Sequence, residues 1–110
     1  MRGIVVKSHF EAIHFYPDAP EQVSFLRNRH RHRFDVSICL ETAGDRELEF
    51  FMVKKDLDNV LRNLGNDIGD SSCESLCEQI EDGMVNLGYD NIMMILVWED
   101  GENGSWQIKE

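Results

Sequence analysis

The sequence is poor in cysteine, in proline, in positive charge and in long apolar runs, and each shortage narrows what the chain can be. Three cysteines in 110 residues, Cys39, Cys73 and Cys77, are an odd number and make no disulfide framework. Eleven basic residues against 21 acidic ones leave a net charge of −10, which argues against a duplex nucleic-acid partner, because that binding draws on lysine and arginine against phosphate. The opening Met1-Arg2-Gly3-Ile4-Val5-Val6-Lys7 has only three apolar residues in a row, unlike a secretory signal. The longest apolar run, Ile92 to Trp98, is far too short for a membrane span. No repeat or low-complexity tract interrupts the chain, and the two prolines, Pro17 and Pro20, fall in one loop. A cytoplasmic protein forming one domain over residues 1–110 is expected, with no nucleic-acid or membrane partner.

What is present suffices for one core. The hydrophobic fraction of 42% is too high for a disordered chain and normal for a globular one. Gly3 to Phe15 reads as a strand with Ile4, Val6, Phe10, Ala12 and His14 on one side, followed by a loop from Tyr16 to Asn28. His32, Phe34, Val36, Ile38 and Leu40 alternate with Arg33, Asp35, Ser37, Cys39 and Glu41, the pattern of a half-buried strand. Ala43-Gly44-Asp45-Arg46 suggests a turn into a third strand, Glu47 to Val53.

Leu57, Val60, Leu61 and Leu64 then make one helical stripe. Cys73, Leu76, Cys77, Ile80 and Met84 make a second, with Ser71 and Glu74 as a capping box and Gly88 as the stop. The two cysteines share a helix face, where core packing outweighs metal ligation. Ile92 to Trp98 reads as a strand buried on both sides, and a turn at Asp100-Gly101-Glu102-Asn103-Gly104 leads to a last strand, Trp106 to Lys109. The order β-β-β-α-α-β-β describes an α+β fold: an antiparallel sheet with two helices on one face, its edges open to oligomerisation.

His30 and His32 are two apart in a strand and point to the same side. His14 ends the preceding strand and lies beside them if the two pair. Three neutral imidazoles are a donor set for zinc with a fourth position free, able to polarise a carbonyl or hydroxyl or to lower the pKa of bound water. On spacing alone they also fit ordinary surface or core histidines. Arg27, Arg29, Arg31 and Arg33 crowd four cations into seven residues. That cluster fits either a solvated strand edge paired with acids or a site for a small anion such as phosphate.

His9-Phe10-Glu11-Ala12-Ile13-His14 followed by His30-Arg31-His32-Arg33-Phe34 resembles the F-x-A-x-H and H-G-H-x-[YF] motifs of the 6-pyruvoyltetrahydropterin and 6-carboxytetrahydropterin synthase family. Phe51-Met52-Val53 is similar to that family's G-M-V, Ser72 to Cys77 to its P-T-x-E-x-L-A helix start, and Val97-Trp98-Glu99 to its last motif. The likeness runs in order over nearly the whole chain.

The resemblance implies the T-fold, a sheet with two helices on one face that assembles into a homo-oligomer around a barrel with active sites between subunits. It implies Zn2+ on His14, His30 and His32, and Glu99 anchoring the amino-pyrimidine edge of a pterin or purine-like ligand. The activity implied is that of a lyase on 7,8-dihydroneopterin triphosphate or a related pterin, in tetrahydropterin or queuosine-type biosynthesis. The sequence departs from the pattern in its acid–base groups. No cysteine lies between His14 and His30, where Ser24, Phe25 and Leu26 stand, and a serine without a nearby base is a poor proton acceptor. The stretch Leu61 to Asp67 holds no Asp-His pair, Asp67 reads as a loop residue, and Arg31 replaces the glycine between the two histidines. An alternative is therefore a degenerate T-fold that binds zinc and a pterin or purine without turnover.

Overall fold

The computed structural model describes residues 1–109. Strands β1 (Gly3–His14) and β2 (His30–Glu41) form a long antiparallel hairpin, β4 (Ile92–Glu99) pairs with β2, and β5 (Asn103–Ile108) pairs with β4. A three-residue strand, β3 (Asp67–Gly69), runs parallel to the end of β1, giving the sheet order β3-β1-β2-β4-β5. Helices α1 (Phe50–Leu64) and α2 (Cys73–Asn86) lie on one face, α1 over β1 and α2 over β4 and β5.

The helix-covered face follows from the alternation. Phe34, Val36, Ile38 and Leu40 of β2 are buried beneath the helices, as are Ile92, Ile95 and Val97 of β4. Leu57, Val60 and Leu61 reach them from α1, and Leu76, Cys77, Ile80 and Met84 from α2. Cys73 and Cys77 are buried free thiols, in keeping with core packing.

The α+β class stands, and three local expectations are corrected. Glu47 to Val53 is not a third strand. Glu49 caps α1, its side chain accepting from the Met52 N–H at 3.0 Å, so the apolar run is the first turn of a helix in which only Val53 turns inward. The observed order is thus β-β-α-β-α-β-β. The cap of α2 is Ser72, which accepts from the Ser75 N–H at 3.0 Å, instead of Ser71. β4 is buried on its helix face alone: Met94, Leu96 and Trp98 are only half-buried, on the face that carries no helix.

Candidate metal centre

His14 is the last residue of β1 and His30 the first of β2, directly opposite in register, with His32 opposite Ala12. The chain between them is tied down: the Tyr16 N–H donates to the Leu26 carbonyl at 2.7 Å, and Arg27 donates to the Ala19 carbonyl. Two-residue periodicity puts all three histidines on the helix-covered face, at its open end. Their ring centroids form a nearly equilateral triangle of 4.6, 4.9 and 5.2 Å, with Phe34 edge-on beneath His14. One ligand nitrogen from each ring lies within 4.8 Å of the others.

Each ring is oriented through Nδ1. His14 Nδ1 is 2.9 Å from the Ser71 carbonyl and His30 Nδ1 is 2.7 Å from the Asn28 carbonyl. His32 Nδ1 is 2.6 Å from Asp100 Oδ2. A carbonyl can only accept, so Nδ1 of His14 and His30 carries the proton and donates it. The lone pairs of Nε2 are then left for the centre of the triangle. Histidine metal ligands are fixed in this way, one nitrogen held by an oxygen and the other free to bind.

The partners are supplied by structure that has little signature in the sequence. Short β3 brings Ser71 beside His14, through bonds from the Ile13 N–H to the Asn66 carbonyl and from the Phe15 N–H to the Gly69 carbonyl, both 2.9 Å. Asp100 sits in the β4–β5 turn with φ of 53°. Its own N–H donates to the Arg33 carbonyl at 2.7 Å, and its Oδ1 accepts from the Arg33 N–H at 3.0 Å. That backbone bond, then the bond to His32, holds the Asp100 carboxyl below the usual carboxylate range.

Glu99, the last residue of β4, also faces the triad. Its Oε1 is 3.6 Å from His14 Nε2 and its Oε2 3.7 Å from His32 Nε2. His14 Nε2 is buried, with no hydrogen-bond partner among the described residues. The thiol of Cys73, the first residue of α2, is buried near the same carboxylate. Burial, reinforced by the Glu99 charge, pushes that thiol from its ordinary 9.0 up to about 12, so it stays protonated at neutral pH. Beside the triad opens a cavity of about 370 Å³, lined by His14, His30, Tyr16, Ser71, Glu74 and Glu99 among others. A larger one of about 540 Å³, at the other end of the sheet between Arg2 and Phe50, holds none of these groups.

The four arginines are paired with acids. Arg29 bridges to Asp67, Arg31 approaches Glu11 at 3.7 Å, Arg33 bonds Asp35 at 3.2 Å, and Arg27 bonds Glu21 at 3.3 Å. The pairing with acids expected of a solvated cluster is present, although β2 lies between β1 and β4 and is not a sheet edge. Arg31 points to the face opposite the histidines, so its bulk does not fill the centre. Asp67 opens β3 instead of lying in a loop, and neither it nor Ser24 lines the cavity. Glu74, Ser71 and Asp100 are site residues that the sequence did not mark as such. Only Glu74 had a signal, its place in the helix-start motif.

The fold and these side chains define an α+β protein with a histidine centre at one end of a helix-covered antiparallel sheet. By sequence, no family profile and no curated protein matches the chain. By structure it is similar to 6-pyruvoyl tetrahydropterin synthase from Caenorhabditis elegans, with a TM-score of 0.76 and 12% identity, over 98% of this chain and 95% of that one. The chain has the fold of that protein, the T-fold expected from its motifs.

Proposed function

We propose that the protein is a zinc-dependent, pterin synthase-like protein in which His14, His30 and His32 hold one Zn2+ and the adjoining cavity takes a pterin or purine-like ligand. One observation carries this reading: three imidazoles converge with their Nδ1 atoms already bonded to oxygen acceptors, leaving three Nε2 atoms for a metal. Neutral imidazole nitrogens suit zinc. The residues fit the ion for a second reason. A buried Nε2 without a partner, as on His14, costs about 1–3 kcal/mol, a penalty that a bound metal removes.

Glu99 is the anchor for the ligand, one carboxylate accepting two parallel N–H bonds from an amino-pyrimidine edge. The reaction proposed is that of a lyase on 7,8-dihydroneopterin triphosphate or a related pterin, in tetrahydropterin or queuosine-type biosynthesis. Zinc supplies polarisation of an oxygen on the ligand's side chain. The chain's own part is to hold the ring edge at Glu99, whose carboxylate turns away from the histidines it lies 3.6 and 3.7 Å from, so that the ligand's side chain reaches them.

A second reading, binding without turnover, is favoured by the cavity's lining, which includes neither Ser24 nor Asp67. Loss of proton-transfer groups removes about 10²–10⁴-fold in rate. The two readings part in one assay: zinc-loaded protein mixed with 7,8-dihydroneopterin triphosphate, followed by calorimetry and by product analysis. Saturable binding with product supports the lyase, binding without product supports the second reading, and no binding contradicts both.

We further propose a cytoplasmic homo-oligomer forming a single-domain subunit. The three thiols are free, which suits a reducing compartment. The outer edges of β5 and of most of β1 have no strand partner among the described residues, and the face without helices exposes Val5, Trp106 and Ile108. Pairing of such edges between copies satisfies their backbone and covers that face. Light scattering should give a mass that is a multiple of the 12.8 kDa chain, and a monomer at micromolar concentration would contradict the assembly. No helix among the described residues is long and apolar enough to cross a membrane.

A further inference from the structure

The cavity beside the histidines carries charge of one sign. Its side chains charged at neutral pH are Asp70, Glu74 and Glu99, all acids, and Phe15, Tyr16 and Leu26 supply its apolar wall. The arginines that flank His30 and His32 in the chain are engaged elsewhere: Arg29 with Asp67, Arg31 with Glu11 and Arg33 with Asp35. Arg31 and Arg33 alternate with the histidines and leave β2 on its other face. The N-terminus of α2, a place that can suit a phosphate, is already complemented. Ser72 caps it, Glu74 lies in its first turn, and the Glu99 charge acts on Cys73 at its start. A zinc ion on the neutral imidazoles adds two positive charges, fewer than the three carboxylates carry, so the occupied site stays negative.

We infer that the cavity takes its pterin or purine-like ring in a phosphate-free form, as the uncharged base or a hydroxyalkyl derivative, and discriminates against the phosphorylated one. This rests on the reading of the cavity above and chooses among the ligands which that reading admits. Carboxylates accept the N–H groups that the edge of such a ring offers, and they repel phosphate. The same side chains therefore select for one form and against the other. A triphosphate brings several negative charges into a site that is already negative, and like charges brought together cost affinity. A neighbouring copy in an oligomer alters the balance little. It carries the same 21 acidic and 11 basic residues, and its arginine cluster is paired in the same way.

The test titrates the zinc-loaded full chain, as it assembles and freed of excess metal, with two matched pairs. One is 7,8-dihydroneopterin and its triphosphate, the other guanosine and GTP, each at low and at moderate salt, in wild type and in Glu74→Gln. In whichever pair binds, calorimetry should show the phosphate-free member about tenfold or more tighter. Raising the salt should narrow that gap, because it screens the repulsion between exposed charges. Glu74→Gln, which removes a charge and keeps the size, should narrow it at fixed salt by about twofold or more. A triphosphate that binds as tightly as its parent in either pair, or a gap that neither salt nor Glu74→Gln changes, would overturn the inference. No binding of any of the four compounds would instead bring down the reading of the cavity beneath it.

Discussion

Asp100 does for His32 what backbone carbonyls do for His14 and His30, and it is the one orienting partner that a substitution can remove. Replacing it with asparagine keeps the size and the bond to the Arg33 N–H but weakens the acceptor that sets the His32 tautomer. Loss of such a carboxylate costs on the order of 10–100-fold in metal affinity. Asp100→Asn should therefore bind zinc that much more weakly in a chelator competition, while its metal-free melting temperature stays near wild type. Equal affinity would show that His32 is oriented by something else. The three histidines themselves were legible in the sequence, because alternation in a strand and a motif in order are local properties. Asp100 was not, because its meeting with His32 depends on the β2–β4 register and on a turn residue with positive φ, which no periodicity records.

Among the elements, the strands with one buried face were easiest to read. The alternation from His32 to Glu41 appears in the structure with Phe34, Val36, Ile38 and Leu40 inward. Glu47 to Val53 misled because a short apolar run fits strand and helix alike. Phe50, Phe51 and Met52 are apolar but exposed on the first turn of α1, so their hydrophobicity reports a surface instead of the core of this chain. β3 left no trace at all, being three residues long, yet it is what carries the Ser71 carbonyl to His14. The start of α2 next to the site gives a sharp test. Ser72→Ala should lower stability by about 1 kcal/mol, the usual cost of losing a helix cap, and Ser71→Ala clearly less. Urea unfolding of the two variants decides it, and the reverse order would restore the capping box at Ser71.

At the scale of the whole molecule, buried protonated groups set the response to alkali. Burial pushes Cys73 to about 12 and Cys77 to about 11 from an ordinary 9.0, while burial and the bond to Asp56 push Tyr89 to about 12 from 10.0. Between those ordinary values and the raised ones, the unfolded chain has lost protons that the folded chain keeps, so stability falls as pH rises. The contribution is fully present below about pH 9 and disappears toward about pH 12. Melting temperature should thus decline steadily from about pH 8 to about pH 11, and a flat profile would contradict these burials.

The open sheet face and the acidic surface, at a net charge of −10, belong to the same scale. The histidine centre lies apart from that open face, on the side the helices cover. That centre is tested most directly by elemental analysis of purified protein, wild type beside His30→Ala. The account predicts about one zinc per chain in wild type and little or none in the variant. Wild-type protein that holds no zinc, even after metal is supplied, would contradict it.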